Sequence, residues 1–204
     1  MGSAPGQLKL VKAGFVVLDQ TAAVQKIIAF QYNPETLVRR LDASAATTSG
    51  TGVGNVSAAA HAEGAAPLAP PAPAEFVSFT LSLDAADKLE RGDPVTQQSG
   101  LHPAIAALEL LLYPQPGSLT VWVSGNKRIL PVRATQLTFN EQGFDATLNP
   151  IRADVSVQLQ VLKDADFPPN SKGRALWDTH FTLIQNLAAQ IDAVTLGTLG
   201  LTGV

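Results

Sequence analysis

From Val155 the chain alternates strictly. Val155, Val157, Leu159 and Val161 fall on one side, and Ser156, Gln158 and Gln160 on the other. Successive side chains of a β-strand point to opposite faces, so a period of two predicts a long strand with one buried and one wet face. The run opens at an Asn149-Pro150 turn, ends near Leu162 and carries no nucleophile or acid–base pair. The most regular stretch of the chain is built for a sheet and a surface, not for chemistry.

The same pattern recurs elsewhere. Residues 8–18 and 23–32 read as two strands joined by a turn near Asp19-Gln20-Thr21, with Val24, Ile28, Phe30 and Tyr32 of the second sharing a parity. Asn33-Pro34-Glu35 stops that strand, since proline fixes its own φ and disfavours helix before it. A short strand follows over 37–41, and 76–83 alternates Val77, Phe79, Leu81 and Leu83 against Phe76, Ser78, Thr80 and Ser82. Residues 84–90 read as a helical turn capped by Asp84, broken at Arg91-Gly92-Asp93-Pro94. The clearest helix is 102–113, with Pro103 in its first turn and Ile105, Leu108, Leu111 and Leu112 forming an apolar stripe. Three antiparallel strands are expected at 119–123, 127–139 and 146–162, with a hairpin turn at Ser124-Gly125-Asn126. Pro131 marks a bend, a bulge or an edge position. A C-terminal helix spans 173–191, with Leu176, Phe181, Ile184, Leu187, Ala188 and Ile191 available for packing. The expected fold is mainly β with helices (α+β), an antiparallel barrel or sandwich with helices packed outside.

At 204 residues the chain fits a single domain, 1–191, able to bury a core without covalent staples. Within it, residues 42–75 are dominated by Ala, Gly, Pro, Ser and Thr and contain no Lys or Arg, which predicts a long flexible loop. That loop is either a tolerated insertion or a segment that orders against a neighbouring subunit. The glycine- and threonine-rich residues 192–204 are expected to form a loosely ordered tail. Charged residues make up only 15% of the chain. So low a share suits a protein that hides surface in an assembly.

Several function classes are disfavoured. The net charge is −3 and Lys and Arg are not clustered, so no nucleic-acid footprint is expected. There is no cysteine, which removes disulfides, thiolate metal sites and cysteine nucleophiles. No secretory leader and no apolar run of membrane-spanning length is read, so membrane insertion is not expected. His61, His102 and His180 have no ligand spacing, and neither a metal nor a cofactor is expected. Asp84, Asp87 and Glu90 would share a helix face, but solvating a short helix explains them better than acid–base work. Gly50-Thr51-Gly52-Val53-Gly54 lacks the Lys-Ser/Thr ending of a phosphate loop. Arg133 and Arg152 are single charges within strands, either solvated or paired with a carboxylate of an adjacent subunit. Trp122 and Trp177 are expected as core or interface anchors.

Five segments in order carry a resemblance: Phe30-Gln31-Tyr32-Asn33-Pro34-Glu35-Thr36-Leu37; residues 83–90; residues 101–114, with Leu108-Glu109-Leu110-Leu111-Leu112-Tyr113-Pro114; residues 128–133; and residues 144–162, with Leu148-Asn149-Pro150-Ile151-Arg152-Ala153. They mark a stretch of about residues 8–185 that resembles the tube-like N-terminal domain of contractile injection system proteins, which assemble phage-tail-like particles. The resemblance implies a phage-tail-tube-like barrel and a non-enzymatic role in a baseplate or inner-tube layer. Its partners would be further copies in a six-membered ring joined sheet edge to sheet edge around a channel, a spike protein, an inner tube protein and other baseplate or sheath components. It also implies assembly in the cytoplasm, within a particle open to release outside the cell. Longer relatives carry a C-terminal peptidoglycan-binding LysM module, for which no room is read after Ile191. On this reading the subunit interface includes Tyr32, Asn33, Pro34, Arg133, Asn149, Pro150 and Arg152. The 42–75 loop would lie at ring-to-ring or sheath contacts, so deleting 45–72 should impair particle assembly and leave the domain folded. The competing expectation is a small-ligand-binding or hydrolytic β-barrel, marked by an enclosed apolar pocket with convergent polar groups.

Overall fold

The structure is a computed structural model and describes residues 11–43 and 73–191. Seven strands form one antiparallel sheet: β1 (Gly14–Leu18), β2 (Val24–Ala29), β3 (Leu37–Asp42), β4 (Ala74–Asp84), β5 (Leu119–Ser124), β6 (Arg128–Phe144) and β7 (Pro150–Val161). Their order is β2-β1-β5-β6-β7-β4-β3. Between β4 and β5 lie α1 (Ala86–Glu90), α2 (Pro94–Ser99) and α3 (His102–Glu109), and α4 (Lys172–Ala188) follows β7. The segment expected as a loop over 42–75, apart from its two ends, and residues 192–204 lie outside the described residues, as do His61 and the Gly50–Gly54 run.

The alternation read from the sequence sets the register. Val155, Val157, Leu159 and Val161 are all buried, opposite Leu81, Phe79, Val77 and Glu75 of β4. In sheet order β1 and β4 are four strand spacings apart, about 19 Å if the sheet were flat. Yet the Phe15 and Phe79 rings lie 6.5 Å apart, and Phe30 is 5.7 Å from Phe79. The sheet is therefore curled on itself around an aromatic core completed by Trp122, stacked on Phe79 at 5.6 Å.

The helices do more than pack outside. Leu108 of α3 and Leu111 just beyond it belong to the main core, and Trp177 of α4 packs against it. α3 lies near Leu81 and Leu83, at one end of β4. α4 lies over Glu75 and Val77, at the other.

Several expectations change. Asp93-Pro94 ends α1 but also starts α2, because the Asp93 carboxylate accepts the Thr96 N–H at 2.8 Å and Pro94 suits a first helical turn. Asp84 is not the helix cap residue; its carboxylate accepts from Ala86 N one position early. Leu112 of the apolar stripe is exposed, since the helix tightens to a 3-10 turn over Leu110–Leu112. β6 runs on to Phe144, and residues 146–149 form a turn. Pro131 is buried in an interior strand, not at an edge. The β6–β7 ladder begins only at Val132, and beyond it Leu162 N donates to the Pro131 carbonyl. In α4 the buried residues are Gly173 and His180, while Phe181 and Leu187 are exposed; the helix ends at Ala188, short of the expected 191, and Ile191 beyond it is exposed.

Candidate subunit interface

Sheets with free edges offer unpaired backbone donors and acceptors to other chains. Among the described residues this sheet has two such edges, β2 and β3. Both carry apolar side chains in solvent: Val24 and Ile27 (66% exposed) on β2, Val38 (63%) and Leu41 on β3. Neither edge is broken by a proline.

The sheet does not close on itself through a backbone ladder. β3 pairs only with Ala74–Phe79, leaving the far part of β4 without a β3 partner. There the Gln31 side chain acts as a substitute peptide. Its Nε2 donates to the Asp84 carbonyl at 2.8 Å, and its Oε1 accepts from Asp84 N at 3.0 Å. Two residues on, Asn33 does the same for the approach to β1, accepting from Ala13 N at 2.8 Å and donating to the Val11 carbonyl at 2.9 Å. The β2–β3 connection thus bridges the seam with side-chain amides.

Each residue expected at an interface can now be placed. Tyr32 is exposed beside Gln31, and Pro34 is half-buried. Asn33 spends its amide on β1, as above. Asn149 is held by Asp145 and Thr147, donates to the Gln98 carbonyl at 3.2 Å, and precedes the fully buried Pro150. Arg152 is exposed and pairs with Asp84 of its own chain at 3.1 Å, and Arg133 is exposed on β6. The seven therefore spread over several places: three at the seam, two at the base of the β6–β7 hairpin, and two on the outer sheet face.

That outer face is mostly polar, with Phe76 and the charges of Arg133, Asp84, Arg152 and Asp154 among its residues. Across β4, β7 and β6 it carries rows of facing residues: Ser78, Gln158 and Gln136; Thr80, Ser156 and Thr138; Ser82, Asp154 and Asn140; Asp84, Arg152 and Gln142. Three of its four charges, Asp84, Arg152 and Asp154, meet partners on the same face. Asp154 accepts from Ser82 at 2.8 Å and from Gln142 at 3.1 Å, and Arg152 meets Asp84.

Two inward-facing features escaped the sequence reading. Glu75 is 3% exposed, and its carboxylate is gripped by the Arg39 guanidinium through Nε and, at 3.1 Å, through Nη2. The pairing raises the Arg39 pKa. Parity was the available signal, because Glu75 sits in line with the inward Val77 and Phe79. His180 is buried under α4, beside a cavity of about 220 Å³ that also touches Trp122, Arg39 and Glu75. A larger open hollow of about 570 Å³ lies between α1–α3 and the seam, lined by Phe30, Leu81, Leu101 and Leu108. Its lining also includes Lys12, Asp87, Lys88, Arg91 and Asp93, while Gln31 is engaged with the Asp84 backbone.

Among the described residues no three His, Asp or Glu side chains are grouped to hold a metal, and no helix is long and apolar enough to cross a membrane. The sequence matches no family model and none of the curated proteins with which it was compared.

Proposed function

We propose that this chain is a structural ring subunit of a contractile injection system, in the baseplate or inner-tube layer that connects the spike to the tube and continues the cargo channel. The carrying observation is the pair of exposed edges, β2 and β3, at opposite ends of one curled sheet. A sheet with one free edge at each end can join head to tail, and a head-to-tail contact closes into a ring when its rotation allows. The resemblance in the five sequence segments supplies the ring of six, the spike, the inner tube and the sheath as partners. In this reading the β4–β7–β6 face, rich in hydroxyls and amides and carrying two acidic and two basic side chains, lines the channel. The work is mechanical and is carried by interfaces.

Light scattering of the purified chain tests the ring, with six 21.3 kDa subunits expected per particle. Negative-stain imaging of sheathed particles from the native source tests the location, with the chain expected at the spike end. A chain that stays at 21.3 kDa and is missing from every such particle overturns the reading. Saturable small-molecule binding in the 570 Å³ hollow by that monomer would put the ligand-binding barrel in its place.

A further inference from the structure

The end of the curled sheet beneath α4 gathers ionisable groups around one buried histidine. His180 is 8% exposed, and among the described residues neither Nδ1 nor Nε2 meets a hydrogen-bond partner. Glu75 of β4, Arg39 of β3, Arg128 of β6 and Lys127 of the β5–β6 turn share its cavity, as does Trp122. The other α4 residues there, Leu183, Ile184 and Leu187, are apolar, and the nearest charge on the helix itself is the exposed Asp178. The one carboxylate in the cavity is already held by Arg39.

A neutral imidazole can sit in such a place as a packing piece. An imidazolium cannot do so cheaply, because its charge is desolvated and faces Arg39 and Arg128, while the Glu75 carboxylate beside it is already occupied by Arg39. The backbone ladders of the sheet do not run through this junction. Of the seventeen residues of α4 only Gly173 and His180 are buried, whereas β6, β7 and β4 hold one another by long ladders. Elements with few buried contacts open first. We propose that His180 is an acid-sensitive latch: when it takes up a proton, α4 lifts from the end of the sheet it covers while the sheet stays folded. This device does not rest on the ring reading.

The protonation balance has the required sign. Burial is the main cause holding the His180 pKa below its ordinary 6.5; Glu75 opposes the shift, and Arg39 and Arg128 add to it. The folded chain therefore takes the proton less readily than the unfolded one. The stabilisation is complete above about pH 6.5 and is lost as pH falls through the lowered value.

The two tryptophans of the chain, Trp122 in the cavity and Trp177 on α4, read the junction directly. Lowering the pH from about 7 to about 4.5 should red-shift their emission with a midpoint below about 6.5. Hydrogen exchange should show α4 amides losing protection while β6 and β7 keep theirs. His180→Leu should abolish the transition. His180→Gln, which also cannot titrate, serves if the leucine variant does not fold. Arg128→Gln removes a facing cation and should move the midpoint up by about half a pH unit. Three results overturn the proposal: no transition in the native chain, a transition unchanged in the His180 variants, or one abolished by Glu75→Gln alone, which would assign it to the carboxylate.

Discussion

A side-chain amide carries the same donor and acceptor as a peptide group, and Gln31 and Asn33 use that equivalence where the backbone ladder stops. Gln31→Ala should cost about 1–3 kcal/mol, read as a lower urea midpoint, because the Asp84 N–H and C=O lose their partners. Gln31→Glu separates the two bonds. At neutral pH its carboxylate can accept from Asp84 N but offers the Asp84 carbonyl no donor. Protonation restores the donor, so the folded state raises the new carboxyl pKa, and lost stability should return as pH falls from about 7 to about 5. A variant equally weak at both pH values would show that the donor to Asp84 is not what matters. The sequence marked this place as a strand stop, through Asn33-Pro34, but not as a seam. What Gln31 touches is set by residues more than fifty positions away.

At the scale of elements, two hairpins share one device. In the β6–β7 turn, Asp145 Oδ1 accepts from Thr147 N, Thr147 Oγ1 and Asn149 N, each at 2.8 Å. In the β1–β2 turn, Asp19 Oδ1 accepts from Thr21 N, Thr21 Oγ1 and Ala23 N at 2.7–2.9 Å. Each carboxylate stabilises a loop whose fourth residue, Leu148 or Ala22, has a left-handed φ of 66° or 63°, a conformation that costs a non-glycine residue about 1–2 kcal/mol. Bonds from Asn149 first, then Thr147, lower the Asp145 pKa to about 2. The ionised form therefore favours the folded turn above about pH 3.9, and that preference is lost as pH falls through about 2. Amide signals of Thr147 and Asn149 should titrate in this range in the native chain and not in Asp145→Asn. A titration surviving in Asp145→Asn would place the effect on another carboxylate. The shared Asp-x-Thr spacing is legible in the sequence. The helix started by Asp93-Pro94 is not, because the same two residues end one helix and begin the next.

At the scale of the molecule, the two edges make the assembly hypothesis sharp. Ile27→Asp should disable the β2 edge and Val38→Asp the β3 edge, each leaving the circular dichroism of the protomer unchanged and each abolishing rings. Mixed in equal amounts, the two variants retain one intact β3 edge on the first chain and one intact β2 edge on the second. A head-to-tail contact should then yield dimers and nothing larger, seen by light scattering. Rings from the mixture, or from either variant alone, would rule out joining through these edges.

The sequence by itself marked the strands, the inward and outward faces of β4 and β7 and the two main helices, because periodicities of 2 and 3.6 are local consequences of backbone geometry. In β2, by contrast, Val24, which shares the parity of Ile28, Phe30 and Tyr32, is exposed, as is Tyr32. It also marked the turn at Ser124-Gly125-Asn126, whose glycine has φ +68°. Only the tertiary structure decided that the sheet curls until Phe15 meets Phe79, and that Glu75 needs Arg39. It alone brought His180 among Arg39, Arg128 and Lys127, and engaged Asn33, Asn149 and Arg152 within their own protomer. These are meetings between residues far apart in the chain. Their free energies depend on burial and on charges that no local pattern carries.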